Sequence, residues 1–160
     1  LDPGIMPYVV HKEELTHHQA STMLNKHSGL YGISGVSNDM KEICEAEAEG
    51  HERAHLAVEA FCYRVRKYIA AYAAAMGGVD AVVFTAGIGE NAPEIRARCC
   101  EGLGFMGVEV DPARNDGLLG EGEISPEGAA VRVWVIPTNE ELIIARDTVR
   151  VMKGVIRPPA

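Results

Sequence analysis

The sequence is short of most features that would make its chemistry obvious. It has no Gly-Lys-Ser/Thr triplet, which excludes a Walker-type phosphate loop, and no Gly-x-Ser-x-Gly, which excludes a nucleophile elbow. It holds only four cysteines, Cys44, Cys62, Cys99 and Cys100, and no Cys-x-x-Cys pair. Neighbours such as Cys99 and Cys100 on one helix are poorly placed for a disulfide or a shared metal, so reduced, structural thiols and a cytoplasmic location are expected. Basic residues are outnumbered, 15 against 23 acidic, and the formal charge is -8. That scattered, acidic balance argues against a nucleic-acid surface. No long apolar run occurs either. The most hydrophobic region, 68–84, is broken by Gly77-Gly78 and by Asp80, so no membrane partner is expected.

What is present fits a single globular domain. At 160 residues the chain is long enough to close one core. It opens on Leu1-Asp2-Pro3-Gly4, turn chemistry that begins in mid-pattern, so a piece of something longer is expected.

The strongest signal lies in Asp80-Ala-Val-Val-Phe-Thr-Ala-Gly-Ile-Gly-Glu-Asn91. A Val-rich run reads as a fully buried strand over 81–84, followed by a glycine turn and a helix opened by Asn91 and running over about 92–103. Such a junction gathers free backbone N–H groups and the positive end of a helix at one point, where an anion or nucleotide can sit. Gly87 and Gly89 are expected to supply backbone angles closed to other residues and to admit a flat ligand.

Around this element the periodicity predicts a helix over 11–26, a glycine-punctuated loop over 28–35, and a helix from Asn38-Asp39 toward Gly50. The longest helix follows over 51–76, with an apolar stripe of Val58, Cys62, Val65, Ile69, Tyr72 and Met76. A short strand over 107–110, a mobile acidic loop over 116–128, a strand over 131–136 and a last helix over 139–152 complete the chain. Alternating strands and helices from Asp80 onward predict an α/β layer with a largely parallel sheet.

Three polar constellations compete with simpler readings. His51-Glu52-Arg53-Ala54-His55 matches H-E-x-x-H, which would make a zinc peptidase with Glu52 as base. A solvated helix start explains it better, because no His follows it in the chain. Asp39 either caps a helix, with Glu42 completing a capping box, or holds a ribose hydroxyl. In Pro137-Thr-Asn-Glu-Glu-Leu142, Thr138 and Glu141 form a capping box and leave Glu140 free just past a strand's carboxyl end. A free carboxylate there is either a surface group or a Mg²⁺ ligand.

Three segments together resemble the acetate kinases and their propionate and butyrate relatives. They are Phe84-Thr-Ala-Gly-Ile-Gly-Glu-Asn91, Ile136-Pro-Thr-Asn-Glu-Glu-Leu142 with Ile144-Ala-Arg-Asp147, and Ser34-Gly-Val-Ser-Asn-Asp39. The long helix over 61–76 is similar too. The resemblance implies the actin-like ATPase (ribonuclease H-like) fold, a mixed, mostly parallel sheet flanked by helices. It implies reversible phosphoryl transfer from ATP to acetate or another short-chain carboxylate, giving acetyl phosphate and ADP, in a homodimer. It places Asp39, Met40 and Lys41 on one side of the nucleotide and Gly87, Ile88, Gly89, Glu90 and Asn91 on the other, with Glu140 on Mg²⁺. Lys41 stands where the family usually has Arg, and Lys lacks the planar, multi-donor face. The resemblance covers residues 1–160 as a carboxyl-terminal nucleotide-binding domain. The acetate pocket and the catalytic groups belong to an amino-terminal domain, so the fragment alone is expected to be inactive. A non-catalytic nucleotide-binding or dimerisation module is the alternative.

Overall fold

The computed structural model describes residues 2–154. Five helices come first: α1 (Ile5–Lys12), α2 (His17–Lys26), α3 (Gly29–Ser34), α4 (Met40–Ala48) and the long α5 (Glu52–Met76). The second half alternates: β1 (Ala81–Phe84), α6 (Ala86–Asn91), α7 (Pro93–Cys100), a 3₁₀ turn at Gly104–Met106, α8 (Pro112–Gly117), β2 (Gly122–Glu123), β3 (Arg132–Val135) and α9 (Glu140–Met152). The sheet order is β1-β3-β2, parallel between β1 and β3 and antiparallel between β2 and β3. The expected α/β class with a mixed sheet is what forms.

Two apolar clusters hold these layers. One joins α4, α5 and α7 through Met40, Ile43, Ala54, Ala57, Val58, Cys62, Ile95 and Cys99. The other lies under the sheet and includes Leu103, Val108, Ile124, Val131, Val133 and Val135. Phe84, at the end of β1, packs against both. It therefore ties the strand carrying the glycine turn to the helical half as well as to the sheet.

Several local expectations give way to tertiary structure. The helix expected over 11–26 is two helices, broken at Glu14, whose φ of 52° is left-handed. Thr16 restarts the chain as a capping box: its Oγ1 accepts from the Gln19 N–H, and the side-chain Oε1 of Gln19 accepts from the Thr16 N–H at 2.8 Å. The loop expected over 28–35 contains α3. Arg53 of α5 donates to the carbonyls of Ile33 and Gly32 at 2.8 and 2.9 Å, closing the end of a helix whose own residues favour it little.

The expected mobile loop over 116–128 ends α8, pairs as β2, and fully buries Ile124 and Ser125. The Ser125 hydroxyl donates to Glu123 and accepts from the Val133 N–H, which anchors the turn without an apolar run in sequence. The short strand expected over 107–110 is a single parallel bridge, Val108 to Val131.

β1 is not fully buried. It is an outer strand whose alternate residues, Ala81 and Val83, face away from the core, with Val83 about half exposed. On α5 the stripe is buried at Val58 and Cys62, but Tyr72 and Met76 are exposed. Among the described residues no helix is long and apolar enough to cross a membrane.

Candidate functional site

Two loops leave the carboxyl ends of the adjacent parallel strands β1 and β3, and a third segment approaches from α4. In open α/β sheets the crevice outside such strand ends is where ligands bind. Beside it, between the start of α4 and the segment that follows β1, lies a cavity of about 980 Å³. Asn38, Asp39, Met40, Lys41, Cys44 and Ala48 form one wall; Gly87, Ile88, Asn91, Pro93, Glu94 and Ile95 form the other. A smaller cavity of about 420 Å³ adjoins it through Gly87, bounded by Ala86, Glu90, Thr138, Asn139 and Glu141. The first is largely apolar and suits a flat base with its sugar. The second is polar and lies between the two strand ends.

The glycine turn is itself helical. α6 starts after Thr85, and α7 starts after Ala92 rather than Asn91. Asn91 folds back, its side-chain amide donating to the Gly87 carbonyl at 2.9 Å. Neither Gly87 nor Gly89 has a positive φ; Ala86 carries it, at 60°. The two glycines serve other ends. A Cβ on Gly89 would stand 3.2 Å from the carbonyl carbon of Phe84, so glycine there permits close packing of α6 on β1. A Cβ on Gly87 would meet nothing within 4 Å, which leaves its backbone open toward both cavities. A helix of six residues also has a weak dipole, so exposed backbone and space matter more here than the helix end.

Thr138 is not the cap of α9. Asn139 takes that place, its side chain accepting from the Leu142 N–H at 2.9 Å. Thr138 instead bonds across to the first loop. Its N–H and hydroxyl donate to Oε1 of Glu90 at 2.8 and 2.9 Å. Its hydroxyl oxygen accepts from the Ala86 N–H at 3.0 Å and lies 3.0 Å from the Thr85 hydroxyl. Because the Thr138 proton is committed to Glu90, Thr85 is the donor in that last pair. The Thr138 backbone N–H, then its hydroxyl, hold the Glu90 carboxyl below its usual pKa.

On the opposite wall, Asp39 caps α4 by accepting from the Lys41 N–H at 2.8 Å. Met40 is almost wholly buried in the core, and Lys41 is exposed beside Glu45. Glu47 of α4 accepts from Arg98 of α7 at 2.8 Å, bridging the two walls behind the cavity. Burial opposes the Glu47 charge, but hydrogen bonds from Arg98 and His55 outweigh it and depress its pKa.

Of the residues singled out in sequence, Asp39, Met40, Lys41, Gly87, Ile88 and Asn91 border the larger cavity. Glu90 faces the smaller one, and Gly89 borders neither. Glu140 is the first residue of α9, and its side chain lies outside the described residues. Cys44, Ala48 and Thr85 carried no signal, because their place depends on which helix faces which loop.

The zinc alternative loses its geometry. His51 lies outside α5 as its N-cap, its Nδ1 accepting from the Ala54 N–H, and His55 bonds Glu47 at 2.7 Å. Among the described residues no group of three His, Cys, Asp or Glu is placed to hold a metal ion. A Mg²⁺ ion asks less of a protein, one or two carboxylates with phosphates and water completing its shell.

A small mixed sheet flanked by helices, open at the strand carboxyl ends, is here the α/β architecture of the actin-like ATPases. The chain superposes on the crystal structure of Porphyromonas gingivalis acetate kinase with a TM-score of 0.86 and 45% identity, over 95% of this chain and 38% of that one. A propionate kinase from Francisella tularensis gives 0.82 and 39% identity, over 92% of this chain and 37% of its own. In sequence it is 53% identical to the acetate kinase of Heliobacterium modesticaldum over 154 residues, 96% of this chain and 38% of that protein. The Acetokinase family model matches residues 1–146, and the chain belongs to that family. It spans somewhat over a third of the length of the curated relatives it matches.

Proposed function

We propose that this chain is the carboxyl-terminal, nucleotide-binding part of an acetate-kinase-type phosphotransferase. Its reaction is the reversible transfer of a phosphoryl group from ATP to acetate, or to a related short carboxylate, giving acetyl phosphate and ADP. The observation that carries this reading is the cavity between the start of α4 and the α6–α7 segment after β1, whose walls include six of the eight residues that the family resemblance puts beside the nucleotide.

The base and ribose sit between Asp39, Met40 and Lys41 on one wall and Gly87, Ile88 and Asn91 on the other. The phosphates pass Gly87, where the backbone is open, into the smaller polar cavity. Glu90 and Glu141 border that space, and phosphate beside carboxylates requires a cation between them. Mg²⁺ supplies that charge neutralisation when bound, and Glu140 is its ligand in this reading. Phosphoryl transfer then rests on positioning and charge compensation, the ordinary means for this reaction. The carboxylate pocket and the groups acting on the transferring phosphoryl lie elsewhere in the enzyme, so no catalytic residue is assigned to this chain. A homodimer and a cytoplasmic setting complete the reading; the exposed Tyr63, Tyr68 and Tyr72 of α5 offer a surface for the former.

Calorimetric titration with ADP and Mg²⁺ tests the core of this reading. Binding is expected at one site per chain, with no ADP formed from ATP and acetate. The intact enzyme should turn over in the range of about 1–100 per second, and Glu140→Ala there should greatly lower turnover and its response to Mg²⁺. A chain that binds neither adenosine nor ADP would sink the proposal.

A further inference from the structure

Glu90 stands in the glycine turn where a nucleotide contact is expected, yet its Oε1 is fully engaged elsewhere. It accepts both the N–H and the hydroxyl of Thr138, a residue 48 positions further along the chain. The Thr138 hydroxyl in turn receives the Ala86 N–H and the Thr85 hydroxyl. All three hydrogen-bonding capacities of that hydroxyl are used, and every partner belongs to α6 or to Thr85 at its N-cap. Ala86, one of those partners, is held in left-handed backbone that a non-glycine residue seldom adopts. Such a conformation persists only where surrounding bonds determine it.

The other loop thus has one residue, Thr138, locked to the turn, and the next, Asn139, locked to the start of α9 through its cap. Glu140 and Glu141 follow at once. The smaller cavity is the gap between these two loops, and its width is set where Thr138 meets Glu90.

We infer that Glu90 and Thr138 form a clamp that fixes the phosphate end of the site, so that Glu90 is a positioning residue rather than a nucleotide ligand. This rests on the nucleotide reading above and deepens it. The larger cavity is built by α4, Gly87, Ile88 and α7 and does not include the clamp. Loosening the clamp should therefore affect the binding of phosphates and Mg²⁺ while leaving the binding of the base and sugar.

The experiment compares adenosine with Mg²⁺·ADP by calorimetry in the chain and four variants, with thermal melts alongside. Glu90→Ala and Thr138→Val each remove clamp bonds. Glu90→Gln keeps a carbonyl oxygen to accept both bonds but drops the charge, and Thr138→Ser keeps the hydroxyl. Glu90→Ala and Thr138→Val should lower the preference for Mg²⁺·ADP over adenosine about tenfold, with adenosine affinity within about twofold of the parent, the scale expected for losing one or two hydrogen bonds. Glu90→Gln and Thr138→Ser should stay close to the parent. Equal damage from Glu90→Gln and Glu90→Ala would make the charge the active feature and overturn the clamp. So would loss of adenosine affinity in step with ADP affinity, or an unchanged preference in both clamp-breaking variants. Should Glu90→Ala fail to fold, the Thr138 pair reads the same contrast. A parent chain that binds neither adenosine nor Mg²⁺·ADP overturns the nucleotide reading itself, and one that binds Mg²⁺·ADP without adenosine overturns the division between base cavity and clamp, both visible before any variant is measured.

Discussion

The guanidinium of Arg96 donates from Nε to Oδ1 of Asn115 at 2.8 Å, and both residues are only 2% exposed. Among the described residues no carboxylate pairs with Arg96. Its Nη1 donates to the main-chain carbonyls of Gly89 and Glu90 at the end of α6, and its Nη2 to that of Asn115 itself. Asn115 passes its own amide to the Pro93 carbonyl at 2.8 Å. A buried cation shared among carbonyls thus ties α6, α7 and α8 together directly behind the cavity.

Replacing Arg96 with Met should cost roughly 2–4 kcal/mol, because several buried acceptors lose their donors at once. Arg96→Lys should recover only part of this, since an ammonium cannot reproduce the planar fork. Urea denaturation of the three proteins checks the order.

Gly87 and Gly89 should respond differently to alanine. At Gly89 the new Cβ presses on the Phe84 backbone, so Gly89→Ala should lower stability by about 1–3 kcal/mol, the usual cost of overpacking. At Gly87 the Cβ has open space, and stability should hold or rise slightly because alanine favours helix. Gly87→Ala should nonetheless weaken ADP binding, since the methyl enters the passage between the cavities. Melts and calorimetry on both variants decide this.

At the start of α9 the cap belongs to Asn139, so Asn139→Ala should destabilise by about 0.5–2 kcal/mol. Glu141→Ala should change stability little, because Glu141 makes no bond in that cap. If Glu141→Ala were the more damaging of the two in thermal melts, the capping box expected from sequence would be restored.

The Arg132 side chain, then the Ser125 hydroxyl, pull the Glu123 carboxyl down to about 2 from the usual 4.5. A carboxyl depressed in the folded state stabilises the fold above its unfolded pKa. That contribution is present above about pH 4.5, declines below it, and is gone once the pH has passed through about 2. Acid unfolding should therefore begin at a higher pH in Arg132→Met, and Glu123→Gln should flatten the dependence within that window. Far-ultraviolet circular dichroism against pH measures both.

Periodicity and punctuation were enough to place α5, the β1 run, the β3 run and α9 to within a residue or two, since each is long or strongly patterned for its type. The same local chemistry marked the glycine turn and the acidic pair after Pro137 as the two places to watch. The sequence also offered Thr16-x-x-Gln19 as a helix start, a signal that an uninterrupted reading of 11–26 passes over.

Other features were decided only by the tertiary structure. α3 depends on Arg53 from another helix, and the buried segment around Ser125 depends on the Val133 N–H, so neither has a periodic pattern of its own. The left-handed residue in the turn is Ala86 rather than a glycine, because bonds from the far loop hold it there. Thr138 could cap its own helix or bond across the sheet, and local sequence offers both. Parallel pairing of β1 with β3 brings Glu90 within reach, and a carboxylate accepting two hydrogen bonds from Thr138 settles the choice that residue spacing alone leaves open.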